Sequence, residues 1–384
     1  MEEISDLSKV RFTLVDGAPK PPPLSKPTFT LAELKAAIPP HCFERSMVKS
    51  MAHMLWNVSI CCGLFYGAYV VLERTELPFV VRAFGYLAYW FLQGSFMTGL
   101  WTIGHECGHY GFSNNETVDD TVGIILHSFV LTPYHSWKFA HRRHHLNTNS
   151  CENDEFFVPI TESEAKTAWR DTLEDSPMSI FYRIIQMLLV GWMPGYLFLN
   201  KMGPKKYRDG PNSHFNPYSL LYTPNERFSI LMSDIELLPP LATIGYFIYH
   251  YGFSLVFKLY LAPYLVVNAY IVMITYLHHT DTFVPHMREG KWNWIQGAAG
   301  TVDRSFGKFI DNAVNHLSDT HVLHHFFPRI PYYNSIEATE AIKPIMGEYY
   351  LKDTTPYLSA LWRSVKYCQY IADDGKIVFY QKYL

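Results

Sequence analysis

Four stretches without a charged residue constrain this 384-residue chain more than any other feature. They cover residues 54–72, 83–104, 237–257 and 259–277. Each is about 19 to 22 residues long. At 1.5 Å per residue, each can cross the ~30 Å hydrocarbon layer as a helix. Charges punctuate them: Glu73 and Arg74 follow the first, and Lys258 separates the last two. Four such runs inside one soluble core would be unusual. The expected fold is an all-α integral membrane protein with four transmembrane helices in two hairpins, 54–104 and 237–277.

Two weaker runs remain. Residues 123–134 are too short to span and read as re-entrant or interfacial. Residues 184–200 are interrupted by Gly191, Pro194 and Gly195, which leaves a span and an in-plane helix both open. Residues 1–50 are polar and hold Pro21, Pro22 and Pro23; they lack the basic start and apolar core of a signal peptide. Thr30, with Glu33 three residues on, predicts a short capped helix to Ile38, stopped by Pro39 and Pro40. The expected organisation is a cytosolic N-terminal tail, 1–50, and one membrane domain, 51–384. Two hairpins place residues 105–230 and 278–384 on the same side as the N-terminus. Arg142-Arg143 and Lys205-Lys206 argue that this side is the cytosol, so that the histidine groups and both termini face it.

Composition removes several functions. Lys plus Arg number 32 and Asp plus Glu 35, a net charge of −3. That balance excludes a nucleic-acid partner, which demands a basic excess. The six cysteines show no zinc-ribbon or redox spacing, and the Cys61-Cys62 pair reads as small buried side chains.

Histidine is over-represented, at 18, and eight of the 18 fall into three groups. His105 and His109 form an HxxxH. His141, His144 and His145 form an HxxHH, as do His321, His324 and His325. Residues three and four apart share a helix face, so each group can aim its imidazoles at one point. A given HxxHH is expected by chance about 0.04 times in such a chain. Eight imidazoles exceed the three or four ligands of a zinc site and suit two metal ions. Metals at a bilayer edge point to redox chemistry on a lipid. An unactivated methylene has no acidic proton, so side-chain acid–base catalysis cannot break its C–H bond, whereas iron with dioxygen can.

These boxes, in this order between two hairpins, resemble the membrane-bound fatty acid desaturases. More specifically, six segments show a resemblance to the plant-type oleate (delta-12, omega-6) desaturases of the endoplasmic reticulum. Ala37-Ile-Pro-Pro-His-Cys-Phe-Glu-Arg-Ser46, His135-Ser-Trp-Lys-Phe-Ala-His141, His141-Arg-Arg-His-His-Leu-Asn-Thr-Asn149, Thr301-Val-Asp-Arg304, Asp319-Thr-His-Val-Leu-His-His325 and Ala341-Ile-Lys-Pro-Ile-Met-Gly-Glu-Tyr-Tyr350 carry it. The resemblance implies two iron ions held by His105, His109, His141, His144, His145, His321, His324 and His325. It also implies electrons from cytochrome b5 and its reductase, a phospholipid-esterified acyl substrate and a cis double bond at delta-12. The C-terminal Phe379-Tyr-Gln-Lys-Tyr-Leu384 resembles the family's retrieval signal, one residue out of phase.

Some neighbours are candidates for supporting roles. Glu106, Asp154, Glu155 and Asp319 can orient imidazoles or be solvated loop charges. Arg142 and Arg143 point away from the metals, toward an acidic electron donor or lipid headgroups. His278 and His279 end the last span, and either one can be a ligand or line the cavity. Two positions depart from the family pattern. Tyr110 stands where a histidine is usual, and it can pack or hydrogen-bond but not ligate as imidazole does. Asn315 stands at another family histidine position; it can hold a metal-bound water, or His316 can substitute. These departures keep a conjugase, acetylenase, epoxygenase or hydroxylase open as the alternative product class. A membrane zinc hydrolase and an inactive homologue are more remote readings.

Overall fold

The computed structural model describes residues 10–382 except 14, 168–175, 201, 202 and 211. Residues 1–9 of the expected tail and the last two of the C-terminal aromatic run lie outside the described residues. The chain is mainly helical.

Helix α1, Leu31–Ala37, starts as expected: Thr30 accepts from the Glu33 backbone, and the Glu33 carboxylate reaches back to the Thr30 N–H. The segment around it is not free. Phe29, Leu34, Ile38 and Cys42 are buried against Ala338, Ile342 and Met346. Helix α2, Met47–Ala68, is capped by Ser46 and runs on as a π-turn to Glu73. Cys61 is buried there but Cys62 is exposed; adjacent helical residues point about 100° apart, so both cannot face the core.

Helix α3, Phe79–Gly108, is the 30-residue centre of the molecule. Its second half is buried, with Gly99 and Gly104 at close approaches. A Cβ at Gly99 would lie 2.2 Å from the Ala313 carbonyl oxygen, and one at Gly104 2.3 Å from the His127 ring. Small residues permit such packing where apolar burial gives little selectivity. Helix α4, Glu116–Phe129, returns along α3, and α5, Tyr134–Asn147, comes back again. Tyr134 bonds Asp120 across that hairpin at 2.8 Å. Residues 123–134 thus comprise the last two turns of α4 and the bend, 130–133, of a helical hairpin.

Helix α6, Pro177–Val190, is followed by the kinked turn Gly191–Tyr196, with Met193 non-helical. Its 14 residues rise about 21 Å, short of a ~30 Å layer, so 184–200 is not one spanning helix. Helices α7, Arg227–Glu236, and α8, Leu238–Tyr251, lead to Gly252 at φ 85°. The chain then runs helically from Phe253 into α9, Ala262–His279. The break between the last two apolar runs therefore lies at Gly252, not at Lys258. Glycine supplies the positive φ a sharp reversal requires, while Lys258 stays helical and pairs with Glu73.

Among the described residues, three helical stretches are long and apolar enough to cross a membrane: Met47–Glu73, Pro224–Tyr251 and Phe253–His279. The expected span 83–104 is helical but outside that set. Gln93, Ser95, Thr98 and Thr102 dilute its apolar character, and all four are buried in protein.

The remaining elements cap the bundle. Among them are α10 Trp294–Ala299, α11 Lys308–Ala313, α12 His321–Phe326, α13 Tyr332–Met346 and α14 Tyr357–Tyr367, and short helices also cover Glu162–Thr167 and Lys205–Arg208. Strand β1, His286–Met287, pairs antiparallel with β4, Ile377–Val378; β2, Val302–Arg304, pairs in parallel with β3, Leu351–Asp353. Just past α9, Asp281 receives Arg304 and Arg363, both at 2.7 Å, and Arg363 also reaches Asp353. All four groups are buried. The network fastens β2, β3 and α14 to the end of α9.

Candidate metal centre

The three boxes arise on three helices whose ends meet. His105 lies in the last turn of α3, with His109 as its C-cap. His141, His144 and His145 share a face of α5, and His321, His324 and His325 fill α12. Packing sorts them into two groups. His105, His109, His141, His145 and His324 present nitrogens within 4.8 Å of one another. His144, His279 and His325 form the second group. His321 joins it, with Nε2 3.1 Å from His279 Nε2 and 3.0 Å from His325 Nε2.

The separations suit a metal. His141 Nε2 lies 2.9 Å from His105 Nε2 and 3.1 Å from His145 Nε2. His144 Nε2 lies 3.3 Å from His279 Nε2. Two nitrogens bound at right angles to one ion at ~2.1 Å stand about 3.0 Å apart. The Nε2 atoms of His109 and His324 are buried without a protein partner. Burial, and then neighbouring imidazoles, hold His109, His141, His145 and His325 well below the usual histidine range, and burial holds His324 at about 3. Neutral rings keep a lone pair for a cation. An all-imidazole donor set of this density fits borderline-soft metals such as iron.

Two side chains fix imidazole orientation. Asp154 Oδ1 lies 2.8 Å from His144 Nδ1; the Phe156 N–H donates to the same oxygen and the Asn149 N–H to Oδ2. Thr148 Oγ1 lies 3.1 Å from His325 Nδ1 and donates to the His144 carbonyl. An Asp154→Ala chain is expected to lose about 10–100-fold in metal affinity or turnover, with Asp154→Asn intermediate because one acceptor oxygen remains. Iron content and product rate on the same preparation check this; full activity in the alanine variant would contradict it.

The other supporting candidates lie elsewhere. Glu155 pairs with Arg143, and burial raises it to about 7. Glu106 accepts from the Tyr332 N–H, and burial pushes it to about 8. Asp319 lies 3.1 Å from Nδ1 of His316, which is not part of either group. Arg143 is taken up by Glu155 and Glu226, whereas the Arg142 side chain is 62% exposed. Arg143 is half-buried between two carboxylates; Arg142 reaches Glu226 only at 3.5 Å and is the more outward-facing of the two.

The departures from the family pattern also resolve. Tyr110 adopts φ 58°, and Lys138 sits over its ring at 3.9 Å. Asn315 donates to the Gly99 carbonyl and to Thr102 Oγ1, at 2.8 and 2.7 Å, which ties it to α3 beside the first box. It also lines a cavity of about 40 Å³ together with His105 and His324. His278 donates to or accepts from no box imidazole; its Nε2 meets the Ser318 carbonyl and its ring stacks on His321 at 3.9 Å. His279 is the group member that box spacing misses. Its only sequence signal is its place at the end of an apolar run.

A helical bundle holding two adjoining imidazole groups defines a membrane-associated metal-centre class, and similarity to known proteins narrows it. The fatty acid desaturase family profile matches residues 84–357. A delta(12)-acyl-lipid-desaturase of Punica granatum is 43% identical over 94% of this chain and 92% of its own length. An endoplasmic-reticulum omega-6 fatty acid desaturase of Brassica juncea is 41% identical over 92% and 90%. An oleoyl-12-hydroxylase of Ricinus communis is 42% identical over 92% and 89%. The chain belongs to the fatty acid desaturase family.

Proposed function

We propose that this enzyme is an acyl-lipid desaturase that introduces a cis double bond at the delta-12 (omega-6) position of an oleoyl chain. One observation carries the reading beyond the family. A small cavity of about 20 Å³ touches both imidazole groups, and Trp101, Trp137, Phe156, Trp192 and Ile271 wall it. Apolar and aromatic walls against both groups exclude water and offer the surface a hydrocarbon chain would meet on approach.

In this reading His105, His109, His141, His145 and His324 hold one iron, and His144, His279, His321 and His325 the other. When bound, iron with dioxygen supplies the oxidising power that an unactivated C–H bond demands. The chain's own part is placement. The aromatic walls fix which methylene faces the two groups. Asp154 and Thr148 keep His144 and His325 in one tautomer and one orientation. Electrons come from cytochrome b5 and its reductase, and exposed Arg142 is available to an acidic donor. Residues 83–104 serve as a fourth span, in two hairpins with the histidine groups and termini on the cytosolic side of the endoplasmic reticulum. Basic Arg142-Arg143 and Lys205-Lys206 support that sidedness. The acyl donor is a phospholipid.

Expression in yeast, which supplies membrane and electron donor, tests this. The expected result is a new 18:2 acid with double bonds at 9 and 12. A hydroxylated or conjugated product would replace this reading with its alternative, which the similarity to an oleoyl-12-hydroxylase motivates.

A further inference from the structure

The segment Ala37–Ser46 takes no part in the proposed reaction, yet it brings three unlike donors together. His41 and Cys42 share the 3-10 turn Pro40–Phe43, which packs on α13. His41 Nε2 lies 3.0 Å from Glu337 Oε2 and 3.7 Å from Cys42 Sγ. The three ligand atoms all lie within 4.8 Å of one another.

Without a cation one nitrogen serves both neighbours unequally: its N–H can donate to the carboxylate, and the sulfur is left a poor second acceptor. A neutral imidazole nitrogen either carries a proton or accepts one. It cannot donate to the carboxylate and accept from the thiol at once. A cation held by nitrogen, sulfur and oxygen together satisfies all three. Tetrahedral bonds of 2.0–2.3 Å place such donors roughly 3.3–3.6 Å apart, close to the observed separations. The side chains of His41 and Glu337 are 56% and 55% exposed, which leaves access for the ion and a water ligand. Cys42 is fully buried at the base. Asn334, also on α13, donates to the carbonyls of both His41 and Cys42 at 3.3 Å and holds the turn in place.

We propose that His41, Cys42 and Glu337 form a second, surface metal site for a borderline-soft divalent cation of the zinc type, separate from the histidine centre. Burial and the Glu337 carboxylate push the Cys42 thiol up, so the ion binds with release of that thiol proton to solvent. The bound ion staples the α1 segment to α13. Helix α13 begins at Tyr332, whose N–H meets Glu106 within the first histidine box. The staple therefore stiffens one wall of the cap without touching the acyl cavity.

Cobalt titration of the full-length, iron-loaded protein in detergent provides the test. Cys62 is an exposed free thiol and Cys107 lies within the first box, so the part of a sulfur-to-cobalt charge-transfer band that Cys42→Ala removes reports this site. The expected result is a band component that saturates at about one cobalt per chain, is displaced by zinc and is absent from Cys42→Ala. In Glu337→Gln, a surface change that leaves the fold and turnover intact, half-saturation shifts at least about tenfold upward. No band in the unaltered chain, an undiminished band in Cys42→Ala, or unchanged affinity in Glu337→Gln would each overturn the site.

Discussion

Replacing His279 by alanine is expected to abolish turnover as completely as replacing His144, although His279 lies in none of the three boxes. Its Nε2 stands 3.3 Å from His144 Nε2 and 3.1 Å from His321 Nε2. It is the member that bridges an imidazole of α5 to an imidazole of α12. Without it, the second group retains three imidazoles from two helices and an open side. Iron content is expected to fall from two toward one per chain, because the first group keeps all five of its members. His279 ends α9 and is buried, so truncation leaves a small void rather than an unpaired charge. Membrane insertion is therefore expected to persist, as it is for His144→Ala. Metal analysis, product profiling and carbonate extraction on the same membranes check the three parts. Desaturation at the unaltered rate by His279→Ala would refute its ligand role.

The second large effect concerns Asp281. Two arginines converge on this carboxylate, Arg304 from β2 and Arg363 from α14, and all three side chains are buried. Removing one partner from a buried ion pair costs about 3–5 kcal/mol, because the remaining charge is left uncompensated. Asp281→Ala leaves two guanidinium groups with only Asp353 between them. Loss near the upper end of that range is expected, read as a lower thermal midpoint in detergent. Iron retention is expected to fall with it, since Asp281 lies two residues beyond His279 and Ser364 holds the intervening Thr280 carbonyl. A midpoint unchanged in Asp281→Ala would show that water enters and solvates the arginines. Replacing the network with apolar residues of similar volume is expected to be far milder than breaking one member.

These two sites divide what is readable along the chain from what is not. The eight box histidines were legible because their information is local: spacings of three and four place side chains on one helical face. The same holds for the α1 cap, set by Thr30 and Glu33. The apolar runs announced long helices, since membrane thickness imposes a length that composition alone reveals. They did not announce the reversal at Gly252, where a positive φ mattered more than the charge of Lys258. Nor did they distinguish α3, whose polar residues face protein and whose glycines meet other helices.

The sequence by itself determined the class: a helical membrane protein, a histidine-dense metal centre and the desaturase family. Tertiary structure decided how the imidazoles divide into two groups and that His279 completes the second. It decided that Asp154 and not Glu155 meets His144, and that Asn315 is bound to α3. The physical reason is range. His144 and His279 are 135 residues apart, and Asn315 and Gly99 are 216 apart. No local periodicity encodes such pairings; the packing of α3, α5, α9 and α12 brings them together.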